Sequence, residues 1–394
     1  MIDRHIHFTG ALPMWFLAHC ATQPWVGPSV RDRLIAAVCA HDGARHASLT
    51  GKRLQNWLKG WFGADHRRNY FRFFEVYDLL HGLVHPPGDA ERRLAFREGA
   101  EALAIGLVGE GVRACELLVG LKPTVEQTVE RIQAIIEGFE RCRRRLGRTP
   151  SLGLRLTMIR TEHGDSPVVT PELMEGLFLA LEETTSWSPA VVGLDLCGIE
   201  NPERADATFR MIALWNQLNE IRRRHGRSGL SISVHAGENM TNVSSDTYFA
   251  FFEKLLNFRI DRMIHGTFLW ISPRSLELDR EETRAREAIL DAIAKRRWSF
   301  DICPTSNLLL TPLARADIPA GLDRLRARAI DFSVCTDNPA ILQTSLAREH
   351  ELAIHGTSER EPYDTSDHDG ARIGRGGRFE PACCPVGRPC AEKE

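Results

Sequence analysis

The sequence predicts a (β/α)8 barrel, and three observations support this prediction. Eight short apolar runs rich in β-forming residues recur along the 394 residues. Amphipathic segments separate these runs, and strand alternating with helix is typical of a parallel sheet that closes into a barrel. No Gly-rich phosphate loop follows the first run, which disfavours the main alternative, a doubly wound open sheet. The runs are 1–8, 111–121, 151–160, 190–197, 230–235, 261–266, 298–303 and 330–335.

Helices are predicted between the strands from the spacing of apolar residues. In 124–147, apolar side chains recur three or four residues apart and the segment closes on Gly147. Segment 204–226 behaves likewise and has a basic last turn before its final glycine, as the carboxyl ends of helices favour. One more helix is expected over 339–355, after the eighth strand.

A helical insertion is expected between the first and second strands, because residues 14–110 contain no clear strand and are too long for a simple connection. Four apolar side chains within it fall at positions i, i+3, i+4 and i+7 and give one helix an apolar face. They are Leu54, Trp57, Leu58 and Trp61. On the residues alone, such a face most simply packs into the core.

The chain changes character after about residue 356. Segment 356–394 is polar and rich in Gly and Pro, without periodicity, and this composition predicts an irregular or disordered tail. Its Cys383, Cys384 and Cys390 match no standard zinc-binding spacing, so a metal site there is not favoured. The predicted organisation is one barrel domain over 1–355 followed by this tail.

Composition excludes several classes of function. Lys and Arg number 50 against 52 Asp and Glu, a net charge of −2, which gives no general attraction to nucleic acid or to anionic membranes. No apolar run reaches the ~18–20 residues of a spanning helix. The opening MIDRHIHFTG is not a signal peptide. Ten Cys are too sparse for a disulfide scaffold. We therefore expect a cytoplasmic, enzyme-sized globular protein with reduced thiols.

Polar side chains with metal-binding chemistry cluster at the carboxyl ends of the predicted strands, where barrel active sites are built. They are His5 and His7 in the first strand, His235 and Glu238 after the fifth, His265 after the sixth, and Asp337 and Asn338 after the eighth. The period of a strand sends the first two to one face. Three His, one Asp, an uncoordinated Glu and a spare His together indicate a catalytic zinc site. The alternative for each residue alone is a buried, hydrogen-bonded polar side chain.

These motifs, in their order along the chain, resemble those of the adenosine deaminase family of the metal-dependent amidohydrolase superfamily. The matching segments are HIHFTGALP (5–13), GLDLCGIE (193–200), SVHAGE (233–238), RMIHGTF (262–268), ICPTSN (302–307) and CTDNPAI (335–341). The resemblance implies one Zn²⁺ per chain. It also implies that the helix at 54–62 is the gate over the substrate pocket. Its four apolar residues would then form the part of the pocket lining that faces the purine base. The implied zinc ligands are His5, His7, His235 and Asp337.

The resemblance further implies a reaction, the hydrolytic deamination of an adenine-type purine nucleoside or nucleotide. Zinc would lower the pKa of its bound water, and hydroxide would attack C6 while Glu238 protonates N1. His265 would orient and stabilise the hydroxide, and Asp337 would bind the metal and accept the proton of the water. The backbone N–H of Gly198 would reach N3. No organic cofactor is implied, and the expected partner is a small-molecule purine; homo-oligomerisation is left open.

Two residues depart from the family pattern, and both concern substrate contacts. Thr9 stands where nucleoside-acting members carry an Asp that receives the ribose 5′-hydroxyl. Thr9 either tolerates a 5′-phosphate or another 5′ substituent, or binds the hydroxyl more weakly. Asn338 stands where a second Asp presents a proton to N7, and its amide is a permanent donor.

Two alternative functions remain at this stage. The first is a pathway-specific deaminase of a modified purine or another amino-heterocycle, since the departures leave the metal ligands intact. The second is a non-catalytic binding or signalling member of the family. Such a protein is expected to lose metal ligands or the glutamate, and this chain keeps them all.

Overall fold

The computed structural model describes residues 1–42, 49–63, 70–161, 169–184, 186–240, 243–311 and 313–356. Eight parallel strands form one sheet whose spatial order is their order along the chain. The strands are β1 (Ile2–His7), β2 (Ala114–Gly120), β3 (Ser151–Arg160), β4 (Val191–Gly198), β5 (Ser231–Ala236), β6 (Arg262–His265), β7 (Ser299–Ile302) and β8 (Phe332–Val334).

The sheet curls so that its last strand reaches its first. Just beyond β8, Asp337 forms a parallel bridge with Ile6 of β1. The backbone N–H of His7 donates to Asp337 O at 2.8 Å, and Asp337 N–H donates to His5 O at 2.9 Å. The predicted (β/α)8 barrel is thereby confirmed.

Helices connect the strands and cover the barrel. They are α1 (Phe8–Ala11), α2 (Met14–Ala21), α3 (Pro28–Asp42), α4 (Gly51–Gly63), α5 (Tyr70–Val84), α6 (Asp89–Gly109), α7 (Val125–Leu146), α8 (Pro171–Glu183), α9 (Asp206–Arg224), α10 (Ser245–Leu255), α11 (Thr267–Trp270), α12 (Arg280–Arg296), α13 (Pro304–Leu310), α14 (Asp317–Ala327) and α15 (Leu346–His355). Short 3₁₀ turns lie at Ser188–Ala190 and Pro202–Arg204.

Local capping explains where the predicted helices begin and end. The side chain of Thr124 accepts a hydrogen bond from Gln127 N–H and starts α7. Gly147 ends α7 with φ 70°, a left-handed conformation that glycine adopts without steric cost. The helix expected over 339–355 begins only at Leu346. Residues 339–344 form turns instead, with Gln343 at φ 53°, a conformation that interrupts a helix.

The segment between β1 and β2 is helical throughout its described part, as the sequence predicts. Helix α4 packs against α2 and α3, and α6 lies along α7. The close approach of α6 and α7 needs a glycine at position 138, since a Cβ there would lie 2.4 Å from the carbonyl oxygen of Arg97. The insertion thus forms a helical layer that is continuous with the helices around the barrel.

The amino-terminal end of the barrel is filled by a buried network of charges. Glu116 Oε2 accepts from Arg155 Nε at 2.6 Å and from Arg262 Nη1 at 3.1 Å, and Arg262 Nη1 also donates to Asp301 Oδ2 at 2.9 Å. Each charge therefore has an opposite partner, as buried charges require. This network belongs to the fold, and the candidate active site lies at the other end of the strands.

Two further predictions concern membranes and the tail. Among the described residues, none of the helices combines the length and the apolar composition that a membrane-spanning segment needs. The tail over 357–394, with Cys383, Cys384 and Cys390, lies outside the described residues. Helix α15 is capped by Gly356 at φ 63°, close to the predicted start of the tail.

Candidate active site

Strands β1 and β5 and the turn after β8 bring four of the predicted metal ligands together. The ring centres of His5 and His7 lie 5.0 Å apart, and that of His235 lies 4.8 Å from the first and 5.3 Å from the second. Asp337 Oδ1 lies 3.5 Å from His5 Nε2 and 3.3 Å from His7 Nε2. The backbone hydrogen bonds between Asp337 and β1 hold Asp337 beside the two histidines of that strand.

The residues of this cluster fit a zinc ion. Nε2 of His5 and Nε2 of His235 are buried and have no hydrogen-bond partner in the part of the chain that the structure describes. Nitrogen atoms of His5, His7 and His235 that could bind a metal lie within 4.8 Å of one another. Three imidazoles and a carboxylate are a donor set that zinc prefers.

The protonation states of the cluster suit a metal ion as well. Burial lowers the pKa of His7 to about 3, so its imidazole is neutral at neutral pH, the form that binds a metal. Burial alone would raise the pKa of Asp337, but the neighbouring imidazoles of His5, His7 and His265 hold it well below its usual range. The ring of His7 and the carboxylate of Asp337 are therefore both in their metal-binding forms.

A buried carboxylate on β4 orients His235. Asp195 Oδ2 lies 3.3 Å from His235 Nδ1, which is also 3.1 Å from Leu196 O. These contacts leave Nε2 facing the cluster, an arrangement typical of metal-binding histidines. Asp195 also accepts a hydrogen bond from Ser233 Oγ. Sequence analysis missed this role, although Asp195 lies within the GLDLCGIE segment.

His265 faces the cluster from the end of β6. The amide of Asn307 donates to His265 Nδ1 at 3.1 Å, and His265 Nε2 lies 3.5 Å from Glu238 Oε1. The backbone of His265 is left-handed, with φ 60°, as is that of Asp337, with φ 64°. Such conformations are uncommon in non-glycine residues and occur at functional sites. Trp270 Nε1 donates to His265 O at 2.7 Å and helps to hold this strained turn.

Glu238 is buried beside the cluster. Burial raises the pKa of its carboxyl well above the usual range, and the negative charges of Asp337 and Glu200 add to the effect. The shift favours the neutral carboxyl, which is the form that can donate a proton. Because the same shift disfavours its charged form, Glu238 is suited to acid chemistry rather than to binding a cation.

Glu200 holds the loop that carries Glu238. Its carboxylate accepts hydrogen bonds from the backbone N–H groups of Gly237 at 2.6 Å, Glu238 at 2.9 Å and Asn239 at 2.9 Å. The phenol of Tyr248 donates to the same carboxylate at 3.1 Å. Sequence analysis missed this role as well. Glu200 is the last residue of the GLDLCGIE segment, so its place in this motif could have drawn attention to it.

A cavity opens above the cluster, and helix α5 forms its outer wall. The side chains from α5 that line it are Tyr70, Phe73, Phe74, Tyr77, Asp78 and His81. His7, His235, Glu238, His265 and Asp337 line its floor. We call this space the catalytic cavity. Most of these α5 side chains follow the i, i+3, i+4, i+7 spacing, which predicts an apolar face on the helix but does not show what that face contacts.

The expectation that the helix at 54–62 lines the pocket needs correction. Leu54, Trp57 and Leu58 are buried in the hydrophobic core, and Trp61 packs against that core. None of the four lines the catalytic cavity. Because α4 packs on α2 and α3, its apolar face is covered by other helices of the insertion. The interpretation of these residues as core, drawn from their spacing alone, agrees with their burial.

The predicted substrate-contacting residues lie in two places. Gly198 and Asn338 line the catalytic cavity. Gly198 has φ 87°, and a Cβ there would lie 2.5 Å from Arg160 O. The amide nitrogen of Asn338 donates to Asp337 Oδ1 at 2.6 Å. Thr9, in contrast, lines an adjoining cavity, where its hydroxyl contacts the phenol of Tyr77.

Comparison with known proteins gives a family match and distant relatives. One relative, an aminodeoxyfutalosine deaminase from Acidothermus cellulolyticus, is 40% identical over 82 residues, which are 20% of this chain and 22% of that protein. The chain thus matches about a fifth of the length of this relative.

Two solved structures share the fold. The Arabidopsis N6-mAMP deaminase has a TM-score of 0.56 at 19% identity, covering 92% of this chain and 89% of its own. A cog1816 amidohydrolase from Burkholderia ambifaria with bound Zn has a TM-score of 0.52 at 17% identity, and the match covers 91% of this chain and 80% of that one.

The family match extends over most of the chain. The model described as adenosine deaminase matches residues 37–365, which include β2 to β8 and the segments that carry His235, Glu238, His265 and Asp337. The chain belongs to the adenosine deaminase family.

Proposed function

We propose that this protein is a zinc-dependent hydrolase that removes the exocyclic amino group of an adenine-type nucleoside or nucleotide. The observation that carries the proposal is the arrangement at the carboxyl end of the barrel. Side chains that could bind a metal, a glutamate whose pKa is raised by burial and a further histidine face one cavity walled by aromatic rings. Family membership and the deaminases named among its relatives support this reaction type.

His5, His7, His235 and Asp337 would hold the zinc ion. When bound, zinc acts as a Lewis acid that lowers the pKa of water to ~7 and so makes a nucleophile available at neutral pH. The unpartnered nitrogens of His5 and His235 and the zinc in the related amidohydrolase structure support this assignment.

Glu238 would donate a proton to the ring nitrogen beside the carbon that is attacked. Addition of an oxygen to that carbon breaks the aromaticity of the ring and moves an electron pair onto this nitrogen. A neutral carboxylic acid can supply the required proton, and the raised pKa of Glu238 keeps it in this form. The three backbone hydrogen bonds to Glu200 would keep its loop in place during the reaction.

His265 and Asp337 would position the attacking water. Both line the catalytic cavity beside Glu238, and the Asn307 amide directs the Nε2 of His265 towards this space. Asp337 carries a negative charge, because its pKa lies below the usual range. It would accept the proton that the water loses, a transfer that bound zinc would favour by making the water more acidic.

The remaining cavity residues would bind the purine. The rings of Tyr70, Phe73 and Phe74 would stack on the base and exclude water. Asn338 has a second amide hydrogen for a ring nitrogen, since its contact with Asp337 uses one. The backbone of Gly198, which lines the catalytic cavity at the end of β4, would approach the ring.

A substrate panel tests this proposal. Ammonia release and ultraviolet absorbance would be measured with adenosine, N6-methyladenosine, their 5′-phosphates and a 5′-modified adenosine. We expect zinc-dependent turnover of at least one compound. Turnover of only non-purine amino-heterocycles would favour a different deaminase. Tight binding without ammonia release from any compound would indicate a binding protein and contradict the proposal.

A further inference from the structure

A second cavity adjoins the catalytic cavity, and its lining residues do not include the proposed metal ligands. It has a volume of about 290 Å³ and shares part of its wall, including Tyr77 and His81, with the catalytic cavity. A single water needs only about 10–15 Å³ of such space, so this cavity has room for a group of many atoms. Its other lining residues include Phe8, Thr9, His85, Phe96, Lys122 and Arg131. We call this space the annexe.

Arg131 is a buried cation at the wall of the annexe. It lies on α7 with 7% of its surface exposed. Its Nη1 donates to Gly120 O at 2.7 Å, its Nη2 lies 3.2 Å from His85 Nδ1, and its guanidinium lies 4.4 Å from the centre of the Phe96 ring. All three partners are uncharged. Burial, with a smaller contribution from Arg92, lowers the pKa of Arg131 to about 9, which leaves it charged at neutral pH.

The charge of Arg131 has no counter-ion in the part of the chain that the structure describes. None of the described residues that line the annexe is Asp or Glu, and Lys122 lines it too. Buried charges are normally paired, since an isolated charge in a protein interior is costly. The catalytic cavity differs, because Glu238 and Asp337 line it. Among the described residues, the charged side chains that line the annexe are therefore cationic, whereas carboxylates line the adjoining catalytic cavity.

A row of flat rings leads from the catalytic cavity to Arg131. Tyr77, His81 and His85 are successive i, i+4 neighbours on α5, with ring centres 6.1 Å and 3.6 Å apart. Burial lowers the pKa of His81 to about 4 and holds that of His85 well below its usual range, which favours the uncharged form of both rings. This wall is suited to contact with a planar or apolar part of a ligand that extends from the base towards the guanidinium.

We propose that the annexe binds an anionic oxygen group of the substrate, a carboxylate or a phosphate, with Arg131 as its principal contact. The inference rests on the proposed function, since it places the reacting base in the catalytic cavity. A guanidinium has five N–H donors, and the contacts with Gly120 and His85 use two. The others are available for oxygen atoms, with which guanidinium forms strong charge-assisted bonds.

Thr9 fits the same proposal. It lines the annexe, and its side chain carries no charge. A carboxylate there would add a negative charge to the space and repel an anionic ligand. The threonine hydroxyl removes this repulsion and can itself donate a hydrogen bond to an oxygen atom.

The test compares anionic substrates with neutral analogues of similar size, in the zinc-loaded full-length protein. The panel is adenosine 5′-phosphate, adenosine 5′-carboxylic acid, the 5′-carboxamide and adenosine, and the variants are Arg131→Gln, Arg131→Lys and Arg143→Gln. Arg143 lies on the same helix, is exposed and pairs with Glu140. In the wild type we expect kcat/KM to be about 10- to 100-fold higher for an anionic compound than for the neutral ones, the scale of a charge-assisted hydrogen bond.

Arg131→Gln should bring that ratio close to one, mainly through KM. Arg131→Lys should retain part of the preference, and Arg143→Gln should retain all of it. Loss confined to the phosphate or to the carboxylate identifies which of the two groups the annexe binds. An equal fall for anionic and neutral compounds in Arg131→Gln would mean that Arg131 only supports the fold, and the proposal would be wrong.

A binding measurement separates this inference from the proposed reaction. The affinities of inosine 5′-phosphate, inosine 5′-carboxylic acid and inosine would be measured by calorimetry, which needs no turnover. Tighter binding of either anion that depends on Arg131 supports the annexe even if no compound is deaminated. Deamination without any preference for an anion, in turnover or in binding, would overturn the annexe proposal and leave the proposed reaction intact.

Discussion

The catalytic cavity has a floor built from strand ends and a wall built from one helix of the insertion, and the two are held in different ways. On the floor, three of the ionisable groups have buried partners that hold them in place. Asp195 orients His235, Asn307 contacts His265, and Glu200 holds the loop of Glu238. The wall consists of side chains from α5, mainly rings, that pack by shape.

This difference suits the floor and the wall to different proposed roles. Proton transfer and metal binding depend on the direction of single atoms, and the barrel hydrogen bonds supply that precision. Stacking on a base tolerates small displacements, so a helix inserted between two strands is sufficient for the wall. We therefore expect substitutions in the floor to abolish the reaction, and substitutions in the wall to change substrate preference.

The largest effect is expected at Glu238. Glu238→Gln keeps the size of the side chain but cannot deliver a proton, so turnover should fall by at least ~10²–10⁴-fold. Zinc content, measured by mass spectrometry, should not change. The control Glu253→Gln alters an exposed glutamate of α10 and should be as active as the wild type. Near-normal turnover of Glu238→Gln would mean that another group donates the proton.

A smaller effect is expected behind the floor, at Asp195. Asp195→Asn removes the charge that orients His235 while keeping its shape. Zinc affinity, measured by competition with a chelator, should fall by about 10- to 100-fold, as is usual for partners of metal-binding histidines. Asp206→Asn, on the surface beside Lys254, is the matched control. If both variants bound zinc equally, Asp195 would have no role in orienting the ligand.

The smallest effect on activity is expected in the wall. Phe74→Leu should raise KM by about 2- to 10-fold, since ring stacking contributes ~0.5–1.5 kcal/mol. Leu58→Ala, on α4, should lower the free energy of unfolding by ~2–5 kcal/mol and leave the ranking of substrates unchanged, because Leu58 lies in the core. Kinetics across the panel and denaturant unfolding measure these effects. A change in substrate ranking for Leu58→Ala, together with an unchanged KM for Phe74→Leu, would mean that α4 rather than α5 forms the wall of the cavity.

The floor could be predicted from the sequence to a large extent. The spacing of His5 and His7 in a strand places both on one face, and His235, His265 and Asp337 each follow a recognisable apolar run. The left-handed backbones of His265 and Asp337 could not be predicted, because neither is glycine. They depend on hydrogen bonds with distant parts of the chain, and so do the roles of Asp195 and Glu200.

The wall could not be predicted, and the reason lies in the insertion. Both α4 and α5 have apolar side chains at helical spacing, so each is expected to bury one face. Periodicity identifies the face but not the element that covers it. Packing against α2 and α3 buries Leu54 and Leu58, whereas the Tyr77 face of α5 meets the strand ends. Arg131 was missed for a similar reason, since its helix α7 is far in sequence from α5.

The most direct test of the central claim is a zinc titration of the demetallated wild-type protein, with turnover measured at each step. His5, His7 and His235 lie together with Asp337 beside the first two, so turnover should be absent without metal, rise in proportion to added zinc and reach its maximum at one zinc per chain. Full turnover in a rigorously metal-free preparation, or a maximum reached only at two zinc ions per chain, would contradict this account of the site.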